Sequence, residues 1–352
     1  MNYDTFRDWQ QSQKKLRREN LLILGCVAAL MALLWFIGSE GATPREQALM
    51  EKVRASQSLL WQYRKEMGHA DETADPNHTG LIGEEWTMLS TTLGSLPAKR
   101  TVCDPRWAVA ATRWFDSLGL KRGDRVLVLS SSSFPGMILN ILTAAEDRGL
   151  KVTFVLSLGS STWGGNVPGA MWPQYMTLLR SRGQLRTVLH ACTPGGEDET
   201  GGGLSEEALS EMRRVCVKEG APLVMPESLQ AAISYKMGLI ERYKPKLVVS
   251  IGGSEANMGD DEAILELSPG LHRDKNAKGG DGVIGRTLAM GIPVLHILNI
   301  KELALKEGIP FDEQRTGSLI RGRRGLICSV LSLLVFAALL CGFKGRRFRR
   351  LS

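Results

Sequence analysis

Apolar and polar positions fall into three regimes along the chain. Near each end lies an uncharged apolar stretch, residues 21–37 and 325–343, with no polar face at helical spacing. Coiled as a helix, each is about one bilayer core long, and each reads as a membrane-spanning helix rather than a buried soluble one. Next to the first stretch, Pro44 suits the opening position of a helix. The run that follows, to about Met67, carries Ala48, Leu49, Val53, Leu60 and Tyr63 as its apolar candidates. Residues 75–105 show little periodicity and are dense in Gly, Pro and Thr, which predicts a long ordered loop or a set of short turns.

From Trp107 onward the pattern becomes a regular alternation of short apolar runs and amphipathic segments. Strands are predicted over 125–129, 152–156, 186–190, 223–225, 247–251 and 294–298. Helices are predicted over 108–118, 137–148, 173–182, 205–219, 228–243, 283–290 and 300–306. Short apolar strands joined by helices imply right-handed crossovers and a sheet covered on both faces. The expected fold class is therefore α/β, a three-layer, doubly wound, mostly parallel sheet between two transmembrane helices. Six strands allow one sheet or two three-stranded halves, because "DRVLVLSSSS" and "KPKLVVSIGGSE" look faintly like one unit used twice. The expected organisation is a basic tail (1–20), a span (21–38), a membrane-proximal helix and Gly/Thr-rich loop (39–106), the α/β domain (107–320), a second span (325–343) and a basic tail (344–352).

Charge changes this picture by setting an orientation. Arg7, Lys14, Lys15, Arg17 and Arg18 precede the first span, and Lys344, Arg346, Arg347, Arg349 and Arg350 follow the second. Both termini are then expected in the cytoplasm, with residues 39–320 outside it at the plasma membrane; Arg321, Arg323 and Arg324 act against that bias. "LLILGC", ending at Cys26, resembles a lipidation site, but too few apolar residues precede the cysteine and the run continues past it, favouring a retained anchor. The overall charge is +7. Thirteen of the 44 Lys and Arg, but only three of the 37 Asp and Glu, lie in residues 1–38 and 321–352, so the central region is at about −3. That distribution argues for a lipid bilayer and against nucleic acid as a partner. Cys26, Cys328 and Cys341 fall in the spans; Cys103, Cys192 and Cys216 are scattered, without metal or redox spacing. They are expected as buried thiols, with a Cys192–Cys216 disulfide left open.

In a parallel sheet the loops after the strands share one edge and line a common crevice. Here they are 130–136 (SSSSFPG), 157–166 (SLGSSTWGGN), 193–203 (TPGGEDETGGG) and 252–261 (GGSEANMGDD). Glycine lets backbone amides approach a ligand, hydroxyls add donors and acceptors, and together they favour a carboxylate, phosphate or sugar. The candidate ligand-binding residues are Ser131, Ser132, Ser133, Ser160, Ser161, Thr162, Trp163, Gly164, Gly165, Asn166, Gly252, Gly253 and Ser254, with Arg286 as a carboxylate partner. Trp163 would supply a stacking wall and Asn166 a bond to a carbonyl or amide. Small polar residues also simply make tight turns, which is the competing account of each loop.

No motif names a reaction. "SSSSFPG" lacks the Gly-x-Ser-x-Gly elbow, and Ser254 in "SIGGSE" has no assigned base. His296 lies within a predicted strand and reads as a core residue, whereas His190 ends its strand near the crevice. His69, His78 and His272 lack ligand spacing, Asp260, Asp261 and Glu262 read as capping and solubilising groups, and no metal site is expected. No P-loop is present, and "GGDGVIG" (279–285) is out of register for a dinucleotide fingerprint, so no cofactor is expected.

Four strings, "TGLIGEEWTMLSTTLGSLPAKRT", "VLSLGSSTWGGN", "VVSIGGSEANMG" and "GVIGRTLAMGIPVLHILNI", resemble the bacterial poly-γ-glutamate system proteins, the W component of capsule biosynthesis operons. The resemblance runs in order through nearly all of residues 39–312. It implies a role in making, exporting or modifying an anionic γ-linked glutamate polymer at the cell envelope, beside other membrane subunits of the synthase, and it supplies no catalytic residues. Three expectations follow: an accessory protein that holds the polymer or its precursor in the crevice, an amide hydrolase or transpeptidase-like enzyme using a serine from 130–133 or Ser254, or a scaffold for a membrane synthase complex.

Overall fold

The computed structural model describes residues 3–38, 42–312 and 330–336. The chain divides into two compact units, Met1–Thr43 with Gly317–Ser352, and Pro44–Thr316.

In the first unit, Tyr3–Gly38 is one continuous helix, α1, whose first half is charged and whose second half is not. Among the described residues no helix is long and apolar enough to cross a membrane. Within the uncharged half, side chains are described only to Leu34, short of the roughly 20 residues a bilayer core requires. Of the second apolar stretch only residues 330–336 are described, and they are helical. The remainder of that stretch and the basic residues flanking it lie outside the described residues.

The second unit opens with α2 (Pro44–Glu66), then β1 (Ser90–Thr92), α3 (Leu96–Val102) and α4 (Arg106–Ser117). The alternating region follows: β2 (Arg125–Ser131), α5 (Pro135–Arg148), β3 (Lys151–Ser157), β4 (Ser160–Ser161), α6 (Trp172–Ser181), β5 (Leu189–Thr193), α7 (Glu206–Glu219), α8 (Leu229–Tyr243), β6 (Leu247–Ile251) and the single turn α9 (Glu255–Met258). A 3-10 turn (Glu262–Glu266), β7 (Gly270–His272), α10 (Val283–Ala289), β8 (Val294–Ile297) and α11 (Ile300–Glu307) complete it.

The α/β expectation holds, with one six-stranded sheet rather than two halves. Its order is β5-β3-β2-β6-β8-β7, parallel except for β7, which pairs antiparallel with β8. From β2 the chain winds outward through β3 to β5, then returns to the other side of β2 for β6 and β8. Right-handed crossovers in opposite directions require helices on both faces. Leu127, Leu129, Val155, Val248 and Val294 pack against α8 and α10 on one face, while α5, with α4 and α2 against it, contacts β3. Strands covered on both sides need no polar face, which is why Val126–Ser131 and all of β6 are buried and why the sequence shows continuous apolar runs there.

Several sequence expectations shift. The strand expected at 186–190 lies at 189–193; the one expected at 223–225 is reduced to a single bridge between Leu223 and Cys192, and β7 takes the sixth place. Residues 75–105 contain β1 and α3, and residues 157–166 contain β4, which pairs parallel with β1 as a separate two-stranded ribbon. Cys192 and Cys216 are free, buried thiols. A hydrogen bond to Cys216 and then burial push the Cys192 thiol well up.

Candidate binding cleft

The strand register brings the ends of β2, β3 and β5 level: Ser131 pairs with Ser157, and Ser157 with Thr193. β6 and β8 end beside them, Ile251 pairing with Ile297. Beyond this row lies a cavity of about 860 Å³. Ser131, Ser133, Phe134, Ser157, Gly159, Ser161, Gly195, Gly196, Glu199, Gly202, Gly203, Gly253, Ser254, Leu298 and Lys301 are among its lining residues, with the 91–99 segment closing one side. The place is the switch point between β2 and β6, where the chain reverses its winding direction.

Two buried lysines sit at this edge. Lys236, at 2% exposure, projects from α8 and donates to Glu199 Oε1 (2.9 Å), Ser254 Oγ (3.0 Å) and Asn257 Oδ1 (3.1 Å). Glu199, at 1% exposure, also accepts from Thr193 Oγ1 (2.7 Å) and from the hydroxyls of Ser157 and Ser254. Burial opposes its ionisation, yet the Lys236 charge and these hydroxyls together outweigh burial and hold the carboxyl at about 2. Asp198 and Glu199 both take left-handed backbone conformations (φ 56° and 61°), which turn the glycine-rich loop back over the strand ends.

Lys99 is the other lysine, at 1% exposure on α3. It donates to Ser161 Oγ (2.6 Å) and to the Ser133 carbonyl, and its ammonium lies 4.3 Å from the centroid of the Phe134 ring. Among the described residues no carboxylate pairs with it. Burial pushes it down to about 7, opposed by the nearby Cys103 thiol. Neither lysine, nor Glu199, is among the residues expected from the sequence to bind ligand.

Of the residues expected to bind ligand, Ser131, Ser133, Ser161, Gly253 and Ser254 line the cavity. The rest do not. Ser132 turns its hydroxyl onto the Ser157 carbonyl (2.9 Å), and Ser160 onto the Ser161 carbonyl (2.9 Å). Thr162 Oγ1 accepts from the Gly94 N–H (2.6 Å). Asn166, fully buried, accepts from the Glu84 N–H (3.0 Å) and donates to the Glu84 carbonyl (2.8 Å) and Ser90 Oγ (2.9 Å). The Trp163 N–H donates to the Glu84 carbonyl (2.8 Å), and the Trp163 carbonyl accepts from the Gly83 N–H (3.0 Å). "SSTWGGN" is thus mainly a clasp that fastens the 83–94 segment to the sheet through the Trp163 backbone and the Asn166 side chain, and of its residues Ser161 alone lines the cavity. Gly164 and Gly165 sit where a Cβ would meet Ser160 Oγ at 2.2 Å and the Ser132 carbonyl at 3.0 Å, so they serve close packing rather than a ligand. Gly252, with φ 83°, packs on Ser131 in the same way.

Arg286 donates to the Asp281 carbonyl (2.7 Å) and to Gln230 (3.2 Å) and does not line the cavity. His190 is the second residue of β5 rather than its last, and its ring lies edge-on to Tyr243 at 5.5 Å. His296 is buried in β8. Asp261 caps the 3-10 turn by accepting from the Ala263 N–H (2.9 Å), and no group of three or more potential metal ligands occurs among the described residues.

No family model matches this sequence, and no curated protein matches it.

Proposed function

We propose that this chain is a membrane-anchored envelope protein of poly-γ-glutamate synthesis and export, and that the cleft holds the anionic polymer or its precursor. The observation that carries the reading is the meeting of glycine-bearing turns from four separate strands on one cavity. Backbone amides at Gly195, Gly196 and Gly253, the hydroxyls of Ser131, Ser133 and Ser161, and the Lys301 ammonium offer what a row of carboxylates and amide groups needs. The four strings quoted above supply the identity of the polymer, and the two apolar stretches supply the anchors, with the cleft outside the cytoplasm. Other membrane subunits of the synthase are the expected neighbours.

Gly253 gives the test. A Cβ there meets only Met258 Sδ at 3.5 Å and Leu298 Cδ1 at 3.8 Å, ordinary contact distances. Gly253→Val therefore fills the cleft without straining the fold. Equilibrium binding of γ-glutamyl oligomers to the purified full chain should weaken by about tenfold or more, which corresponds to about 1.4 kcal/mol, at an unchanged melting temperature. Unchanged affinity in the variant, or no binding by the parent, refutes the reading.

A further inference from the structure

We infer that Ser161 and Lys99 form a serine–lysine dyad that opens an amide or ester bond by acyl transfer to the Ser161 hydroxyl. The inference goes beyond binding and does not depend on which acyl compound occupies the cleft. Three observations carry it. Ser161 Oγ and Lys99 Nζ are 2.6 Å apart, within reach for direct proton transfer. Both residues line the cavity, so the pair faces the space a substrate would enter. Gly94, bare of a side chain, lies over the pair: a Cβ there would be 2.9 Å from Ser161 Oγ and 3.1 Å from Lys99 Cε.

The second lysine at this edge lacks these properties. Lys236 is held by Glu199 in an ion pair, and Ser254 donates its hydroxyl proton to the same carboxylate. Glu199, with its pKa at about 2, is too weak a base to activate that serine. Lys99 is buried with no carboxylate paired to it among the described residues, and that burial pushes it toward the neutral amine. The other charged groups on the cavity wall are Glu197, Glu199, Glu255 and Lys301, and the titratable neighbour on α3 side is Cys103.

The chemistry balances with water as the only co-reactant. Neutral Lys99 takes the Ser161 hydroxyl proton as Oγ bonds to the acyl carbon. The resulting ammonium returns that proton to the departing amine or alkoxide as the scissile bond breaks, leaving an acyl ester on Ser161. Water then attacks the ester while Lys99 accepts its proton. Release of the carboxylic acid restores the Ser161 hydroxyl and neutral Lys99. An amine in place of water would give transfer instead of hydrolysis.

A fluorophosphonate probe incubated with the purified full chain tests this without knowledge of the substrate. The expected result is a covalent adduct located on Ser161 by peptide mass spectrometry, forming faster as pH rises through about 7, where Lys99 loses its proton. Ser161→Ala and Lys99→Met should each lower the labelling rate by about 100-fold or more, while Ser58→Ala, on the exposed face of α2, should label normally. Absence of an adduct, an adduct on another residue, or unchanged labelling in Ser161→Ala overturns the proposal. Should Lys99→Met fail to fold, Ser161→Ala, which removes one oxygen atom, carries the test alone. Failure of labelling together with intact γ-glutamyl binding would remove the dyad and leave the binding reading in place.

Discussion

Lys236 and Glu199 illustrate how a residue's role is set by what surrounds it. Each would be costly to bury alone, and their mutual attraction plus the hydroxyls of Ser157, Thr193 and Ser254 offset that cost. The same reasoning predicts the acid behaviour of the protein. Glu199 is held at about 2 against an ordinary 4.5, so its contribution to stability is complete above pH 4.5 and is lost as pH falls toward 2. His296 is lowered from 6.5 to about 4, chiefly by burial and then by His272. In the unfolded chain it binds a proton that the folded chain refuses, so stability also declines as pH falls from 6.5 to 4. Urea unfolding of the full chain should therefore weaken in two steps on acidification, and His296→Leu should flatten the upper step while leaving the lower one. A variant that keeps the full slope between pH 6.5 and 4 would show that His296 is not its source.

At the scale of elements, the structure assigns the 157–166 segment a mechanical task the loop sequence conceals. β4 pairs with β1, and Asn166 and Trp163 grip Glu84 and Gly83. Gly83 tolerates this because a Cβ there would sit 2.0 Å from Asn166 Oδ1. The clasp matters for the cleft, since the segment it fastens leads through β1 into α3 and so places Lys99 against Ser161. Asn166→Ala removes three hydrogen bonds, leaving the part-buried Glu84 N–H without a partner and its carbonyl with only the Trp163 N–H. The expected destabilisation is about 2–4 kcal/mol, read as a shift of the denaturant midpoint. A shift below about 0.5 kcal/mol, the size of an ordinary surface substitution, would mean that the clasp is not structural. Part of this was readable beforehand: Ser95 followed by Pro97 is a helix-start signal, and Ser95 does cap α3, accepting from Ala98 N (3.5 Å). Lys236 was readable too, because it occupies the apolar stripe of α8, in step with Leu229, Ala232, Ile233, Leu239 and Ile240. Lys99 and Glu199 carry no such mark; Lys99 lies on a seven-residue helix with no apolar stripe and Glu199 in a polar loop, where a charged residue ordinarily faces water.

For the molecule as a whole, the proposal of two anchors has a consequence independent of the cleft. If both apolar stretches cross the bilayer, reporter enzymes active only outside the cytoplasm should work when fused after Thr43 and should be silent at Ser352. Activity at both positions, or at neither, would overturn the proposed topology. The asymmetry of charge, basic tails around a central region at about −3, is the physical basis for that orientation.

The sequence by itself determined the α/β class and the alternation of strands with helices, and left open whether the strands form one sheet or two halves. Runs such as 125–129 and 247–251 read as strands covered on both sides, and the helices between them are long enough to cross the sheet. It also determined that glycine- and serine-rich turns gather at one edge, because parallel strands allow nothing else. Which of those residues face the cavity was settled by the tertiary structure. The choice between solvent-facing hydroxyl and backbone strut depends on atoms from segments eighty residues apart or more, as Asn166 and Glu84 demonstrate. Burial of Lys99 and Glu199 has the same origin: a charge on a short helix or in a loop becomes an interior group only when distant strands, helices and turns close around it.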